Sequence, residues 1–508
     1  MNLIYRTILT LLLALTAVVA ASAKGAPGKK KFPGGKCYIY RFALKDKQGT
    51  DYSLDRPQRF LSRESVERRR QQNLPVDSTD LPVCEGYLKQ LRTRATEVLG
   101  TSRWNNTVLV RTADTAVIEP LAQLPFVRSV KKVWTAPDSI VPIKVPPKVH
   151  DRFNAWDSVK TSYYAQGQKQ IEMHNGSRLH NAGYKGKGMT VAVLDGGFLN
   201  TDRIPTFQNA RILGAKDFVY PAAPSVYVVG EHGTKVLSTM AANCPGVFVG
   251  TAPEASYWLL RCEDMETEQE VEEDYWAMAA EFADSVGVDI INSSLGYSTY
   301  DDGCDSHERW QLDGKSTLIS RTASMLAGKG IVLVNSAGND GMRAWKKLTF
   351  PADAFDCLTV GAVTSQRTVA PFSAVGPTQD GRVKPDVMAM GAESAALSAR
   401  GTIIREMGTS FASPTLCGLV ACLWQALPHL NAHEIMELVR SVGDNRQHPD
   451  NVQGYGIPDM WRALMIGRFE LQKSQNTVQQ EQRQQTLQQE QNTVQQTTNQ
   501  QTQSTPQI

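Results

Sequence analysis

Gly408-Thr409-Ser410-Phe411-Ala412-Ser413-Pro414 runs into an apolar stretch from Leu416 to Trp424, broken only by Cys417, Gly418 and Cys422. The pattern predicts a tight turn that delivers Ser410 to the first turn of a buried helix. Pro414 suits the start of such a helix, where backbone N–H groups have no intrahelical acceptor. A hydroxyl in that place lies beside free N–H donors and the positive end of the helix dipole. Both would stabilise an oxyanion on an attacked carbonyl. For Ser410 alone two readings stand open, a helix N-cap and a nucleophile, and a nucleophile needs partners elsewhere in the chain.

At 508 residues the chain can hold two or three domains and a large core. A net charge of +3 points to neither a nucleic-acid nor a membrane-surface partner. Arg6, the apolar run Ile8 to Ala20 and the small residues Ala21-Ser22-Ala23 read as a signal peptide, residues 1–23, cut after Ala23. No later segment is long enough to span a membrane and no cysteine follows the cut to accept a lipid. The expectation is an exported soluble protein, secreted, periplasmic or at the cell surface, with no transmembrane anchor. The spacing of the eight cysteines matches no zinc motif. Cys417 and Cys422 read as small buried hydrophobes, and pairing among the other six stays open.

Residues 24–138 interleave short strands (from Tyr38, 106–110 and 127–133) with two helices (62–72 and 87–99), which implies a small α+β domain. It carries 22 Lys+Arg against 12 Asp+Glu, whereas residues 139–508 carry a net −8. A basic module before an acidic one suggests electrostatic complementarity. Arg68-Arg69-Arg70 reads as a solvated helix face or, second, as a processing site. A Pro-rich linker, 139–160, leads to a region of 161–467 in which apolar β-branched runs (189–194, 288–292, 331–334 and 358–363) alternate with helical segments (268–284 and 316–327). That alternation predicts an α/β fold with a mostly parallel sheet covered by helices on both faces. Residues 468–508 are Gln/Asn/Thr-rich, with Gln475 to Gln480 repeated at 491–496, and read as a disordered tail.

A serine nucleophile needs a base, and the base an orienting carboxylate. Of eight histidines, His232 in Glu231-His232-Gly233-Thr234 opens a helical pattern, whereas the other seven lie in polar or loop-like settings. Asp195 ends the apolar strand Val191 to Leu194 ahead of Gly196-Gly197, and sites in open α/β sheets assemble at such carboxyl ends. A phosphate-binding turn is the alternative there, but both Gly-x-Gly-x-x-Gly and a P-loop lysine are missing. Asn339, in Asn335-Ser336-Ala337-Gly338-Asn339, is a turn residue or a side-chain oxyanion donor.

Together, the order Asp195, His232, Asn339, Ser410 and the motifs around these residues resemble the subtilisin-like serine proteases, whose Asp…His…Ser order is characteristic. Further resemblances lie in Asn292-Ser293-Ser294-Leu295-Gly296 and in Lys384-Pro385-Asp386-Val387 leading to Gly391. The resemblance covers roughly residues 160–467. It implies a subtilisin-like three-layer fold and a catalytic triad of Asp195, His232 and Ser410, with Asn339 as oxyanion donor. It further implies substrate contacts through Ser294, Leu295, Gly296, Ser336, Ala337 and Gly338. Protein and peptide substrates are implied, no cofactor is required, and structural calcium is allowed without an identifiable site. The first domain would be a propeptide that inhibits intramolecularly until it is cut off, between about 138 and 170. Two departures stand out: Gly196 replaces the family's hydroxyl residue after the aspartate, and Lys235 replaces a second histidine after His-Gly-Thr. The rival readings are a catalytically silent binding protein on the same fold and an esterase, for which a Gly-x-Ser-x-Gly elbow is missing around Ser410.

Overall fold

The computed structural model describes residues 30–503, apart from 33–34, 141–146, 150–161, 222, 224 and 302. The signal-peptide segment and most of the linker therefore lie outside the described residues. In the first domain four antiparallel strands, β1 (Tyr38–Leu44), β2 (Glu97–Ser102), β3 (Thr107–Thr112) and β4 (Val127–Thr135), form a sheet in the order β2-β3-β1-β4. Helices α1 (Arg63–Gln71) and α2 (Glu85–Leu91) accompany it. Ser62 caps α1 by accepting from the Ser65 N–H at 3.1 Å. The second helix is shorter than the 87–99 expected. Thr96 Oγ1 donates to Leu91 O at 2.7 Å and accepts from the Thr93 N–H at 2.8 Å, a local alternative to helical pairing. The chain then turns into β2.

In the larger domain seven parallel strands are ordered β11-β10-β9-β8-β5-β7-β6. They are β5 (Thr190–Asp195), β6 (Arg211–Asp217), β7 (Ser256–Arg261), β8 (Ile290–Ser293), β9 (Val332–Ser336), β10 (Leu358–Val363) and β11 (Val387–Met390). Strands β5 to β7 build one way from β5, and β8 to β11 build the other. Two crossovers thus diverge between β5 and β8, which opens a crevice at their carboxyl ends. Helices α3 (His232–Ala241) and α5 (Thr409–Ala426) cover one face, α3 lying on β5 and α5 on β8 to β11, with Leu237, Met240, Leu416 and Leu419 in one core with Val191, Val193, Val334 and Val360. Helix α4 (Val271–Ser285) covers the other, with Trp276 and Ala279 on Ala192, Leu194 and Ile291. The expected three-layer α/β fold is present. Pro414, however, sits in the second turn of α5 rather than the first. The last helix, α6 (Met460–Gln503), continues through the segment expected to be disordered. Met460, Ala463 and Leu464 seat its first turns in the core, and Gln, Glu and Arg beyond them are good helix formers.

Strand alternation divides the first domain's sheet between two cores. Phe42, Leu44, Val108 and Val110 share a core with Leu88 and Leu91 of α2, while Ile39, Leu109 and Val133 join Trp276 and Ala279 of α4. Around that apolar contact the charges meet in pairs. Arg41 binds Asp274 (Nε–Oδ1 2.7 Å) and Glu270 (2.9 Å), and Lys131 binds Glu270 at 2.6 Å. Asp284 alone receives Arg68 at 2.5 Å, Arg69 at 2.8 Å and Arg103 at 2.6 Å. Burial works to raise the Asp284 carboxyl, but the three guanidiniums outweigh it and hold it below its ordinary range. Arg68 and Arg69 are thus buried, 5% and 1% exposed, which corrects both readings of the arginine run; only Arg70 faces solvent. Their acceptor comes from the other domain, so nothing in the local pattern could reveal it. All eight cysteines are free thiols, with Cys417 and Cys422 in the core.

Asp284→Asn leaves Arg68 and Arg103 without their counter-charge and Arg69 with Asp80 alone, at 3.1 Å. The full chain should lose about 3–5 kcal/mol, read as a lowered urea midpoint; a midpoint equal to the parent's would show that the cluster contributes nothing.

Candidate functional site

The carboxyl ends of β5, β8 and β9 and the N-termini of α3 and α5 converge on the crevice. Asp195, fully buried, ends β5 and accepts from His232 Nδ1 at 2.8 Å through Oδ1, which also accepts the Gly196 N–H at 2.8 Å. Its Oδ2 is buried with no hydrogen-bond partner among the described residues. His232 opens α3 and is partly exposed. Burial by itself would lower its pKa, but the charge and hydrogen bond of Asp195 prevail and push it up to about 9. The turn after Asp195 depends on Gly197, at φ +146°, where a Cβ would strike the Val229 carbonyl.

Ser410 is the second residue of α5, and its neighbour Phe411 lies 5.9 Å from the His232 ring, centroid to centroid. The Gly408 N–H, donating to Gly391 O at 2.8 Å, pins the turn before it. Ser410 Oγ donates to Ser294 O at 3.2 Å rather than to His232, and Ser294 Oγ donates to Ser410 O at 2.9 Å. Pro414 explains the second bond: having no N–H, it leaves the Ser410 carbonyl without its helical donor, and Ser294 supplies one. Asn292 Nδ2 in turn donates to Ser294 Oγ at 3.1 Å. Asn339 is exposed, and its Oδ1 accepts the Thr409 N–H at 2.9 Å and Thr409 Oγ1 at 3.0 Å. With the carbonyl end so held, the amide NH₂ is the end turned away from Thr409.

Ser294, Leu295 and Gly296 follow β8, and Ser336, Ala337 and Gly338 end β9 and lead to Asn339, with β8 and β9 in register at Ser293 and Asn335. A Cβ on Gly296 or on Gly338 would meet Thr349 Oγ1, so both glycines face one residue that the sequence did not single out. Thr349 N also donates to Ala337 O at 3.2 Å. The two departures find partners. A Cβ at Gly196 would lie 2.6 Å from Glu263 Oε2 and 2.7 Å from Met265 Sδ, so the missing side chain is what admits them. Lys235 pairs with Glu231 at 3.1 Å and Glu406 at 2.8 Å. Two histidines expected in polar or loop-like surroundings are in fact buried: His174 bonds Pro458 O and His180 bonds Thr251 O, each at 3.0 Å, and burial pushes both down to about 4. Among the described residues no group of three or more His, Cys, Asp or Glu is placed to hold a metal ion, and no helix is long and apolar enough to cross a membrane.

A subtilase family model matches residues 186–456, which spans the whole constellation. The chain belongs to the subtilase family. A second model, the peptidase S8 propeptide domain of Bacteroidota, matches residues 39–144 of this subtilase. Among its relatives, subtilisin NAT of Bacillus subtilis subsp. natto is 30% identical over 269 residues, 52% of this chain and 62% of that protein. Subtilisin DY of Bacillus licheniformis is 28% identical over 281 residues, 54% of this chain and 90% of that protein. Subtilisin E of Bacillus subtilis strain 168 is 30% identical over 269 residues, again 62% of its length. The chain thus spans less than two thirds of subtilisins NAT and E. The N-terminal domain of this subtilase is its propeptide domain.

Gly197→Ala should cost about 1–3 kcal/mol in stability, since a Cβ there meets backbone rather than a side chain that can move. Thermal unfolding measures it, and an unchanged Tm would mean that the turn has an alternative path.

Proposed function

We propose that the chain is the precursor of an exported serine endopeptidase that processes itself. The observation that carries this reading is the Asp195–His232 hydrogen bond lying beside a serine at the N-terminus of a buried helix. Ser410 attacks the scissile carbonyl after its hydroxyl rotates from Ser294 O towards His232. His232 takes the proton and returns it to the leaving amine, and Asp195 fixes the tautomer and stabilises the imidazolium. The Asn339 amide and the Ser410 N–H receive the oxyanion. Losing one such donor costs about 10²–10³ in kcat, a figure that comes from subtilisin itself. Extended substrate pairs with Ser294 to Gly296, and its residue before the cleaved bond enters between that segment and Ser336 to Gly338, with Thr349 limiting the depth.

The propeptide domain, clamped on α4 by the buried charges, inhibits until a cut between about 138 and 170 begins its removal. Thr135 and Gln269 exchange two hydrogen bonds, 2.8 and 2.9 Å, at the end of β4, and Asn200 holds Pro147 O at 2.9 Å. The chain is thereby tied to the catalytic domain just before the expected cut region and again at Pro147 within it. The rival reading, a silent binding protein, is not favoured, since no catalytic group is missing.

Ser410→Ala should lower peptide hydrolysis on the order of 10⁶-fold, the loss seen in subtilisin, and leave the chain at full length in gels while the parent sheds its first domain. Unchanged proteolysis or shedding would refute the assignment. The pH profile is a second check. Only neutral imidazole can accept the Ser410 proton, and Asp195 holds His232 protonated up to about 9. Activity should therefore climb from neutral into alkaline pH and fall as pH drops; kcat/KM already level at pH 7 contradicts this.

A further inference from the structure

Glu263 stands two residues beyond β7, on the His232 side of the crevice, and the protease mechanism does not use it. The space it occupies is the one Gly196 leaves open, with its Oε2 where a Gly196 side chain would begin. Its charge acts on both Asp195 and His232, and burial, then Asp195, push its carboxyl up to about 8 while His232 pulls it down. Behind it lie more acids. Glu268 feels Asp301, whose Oδ2 accepts the Glu268 N–H at 2.9 Å. Glu272 is fully buried and its Oε1 accepts the Asp264 N–H at 2.7 Å. Its strongest charged neighbours are Glu268 and Glu263.

None of Glu263, Glu268 and Glu272 has an ion-pair partner among the described residues, and the nearby cations are committed elsewhere. Arg261 binds Asp217 at 3.0 Å and Gly196 O at 3.1 Å, and Lys235 binds Glu231 and Glu406. A separate observation points to a missing ligand. Glu272 Oε2, and the hydroxyl of Tyr297 (1% exposed), are both buried with no hydrogen-bond partner among the described residues. Burial foremost, then the charges of Glu272, Glu263, Cys262 and Glu268, raise the Tyr297 hydroxyl well above its ordinary range, so the same acids lie around it. Buried polar atoms are rarely left unpaired. Burial also raises the carboxyls of Glu268, to about 7, and of Glu272, well above its ordinary range, so these acids keep protons that a cation seated among them would displace.

The substrate supplies it. An extended peptide points successive side chains to opposite sides. If the residue before the cut enters between Ser294–Gly296 and Ser336–Gly338, the residue ahead of it points the other way, towards His232 and Glu263. We propose that Glu263, backed by Glu268 and Glu272, forms an acidic subsite that selects lysine or arginine at the second residue before the cleaved bond. This rests on the protease reading above. A lysine or arginine stem can lie along Met265, beside Glu263, while its charged head reaches the carboxylates.

The test is a cleavage profile. The matured protein digests a denatured protein mixture, and the new termini are read by mass spectrometry. Lys and Arg should be enriched about threefold or more at the second position before the cut, a modest gain expected of a partly solvated charge pair. Glu263→Gln should return that enrichment to background, and Glu263→Lys should turn it towards Asp and Glu. Should either variant not accumulate, Glu268→Gln must lower the same enrichment. Excess calcium chloride should leave the profile as it is; an enrichment abolished by calcium would assign the cluster to a metal ion and overturn the proposal. Digestion without enrichment in the parent, or enrichment that survives Glu263→Gln, overturns it while leaving the protease reading intact. No digestion at all removes both.

Discussion

Two hydrogen bonds between Ser294 and Ser410 join the halves of the site. Each residue's hydroxyl donates to the other's main-chain carbonyl, at 2.9 and 3.2 Å. One of the bonds exists because Pro414 cannot donate to the Ser410 carbonyl, which would otherwise lie unpaired in a buried helix. The strand segment proposed to bind substrate is thereby fastened to the turn that presents Ser410. A shift in one moves the other, and Asn292 extends the connection to Ser413 Oγ at 2.9 Å, one turn further into α5. Proline inside a helix normally costs about 3 kcal/mol. Here part of that cost is offset by a bond that also sets the geometry of the site.

The contact between the domains follows a different logic. Its centre is apolar, and its specificity comes from arginines that converge on a few acids of α4. A lone buried carboxylate would be protonated rather than charged. Asp284 stays ionised because Arg68, Arg69 and Arg103 reach it together, and the same is true in reverse for the arginines. Such a cluster is stable only when complete. Cutting the chain between the domains removes the tether but none of these pairs, so release needs more than one peptide bond broken. Further proteolysis of the first domain, or competition for α4, would have to follow.

Most of the larger domain was legible because buried parallel strands announce themselves as short β-branched runs, and the site residues sit where those runs end. The first domain's two helices and three of its four strands could be read in outline for the same reason, whereas β2 (Glu97–Ser102) begins inside the helix expected over 87–99. Three features could not. The arginine run looks like a solvated face because its acceptor is 215 residues away on another domain. The helix after Tyr87 ends early because Thr93 and Thr96 bond locally, a choice that residue periodicity does not register. The tail's polar composition argues against a packed core, but a helix needs no core once Met460 and Leu464 have anchored its first turns.

Thr349 and Glu263 escaped for a related reason. Neither belongs to a motif, and each matters only through a glycine that leaves room for it. Gly196 is the instructive case, because read along the chain it is a neutral loss of a hydroxyl. In three dimensions it admits a second carboxylate beside a histidine already held protonated by Asp195. Asp195, joined by Glu263 once that carboxyl ionises near 8, makes His232 a stronger base but keeps it occupied by a proton near neutrality. A cationic substrate side chain seated against Glu263 would cancel part of that field and favour the neutral imidazole that catalysis requires. On the proposed subsite, substrate charge and the proton on His232 would compete through the same carboxyl, so the residue selecting the peptide would also help to ready the base.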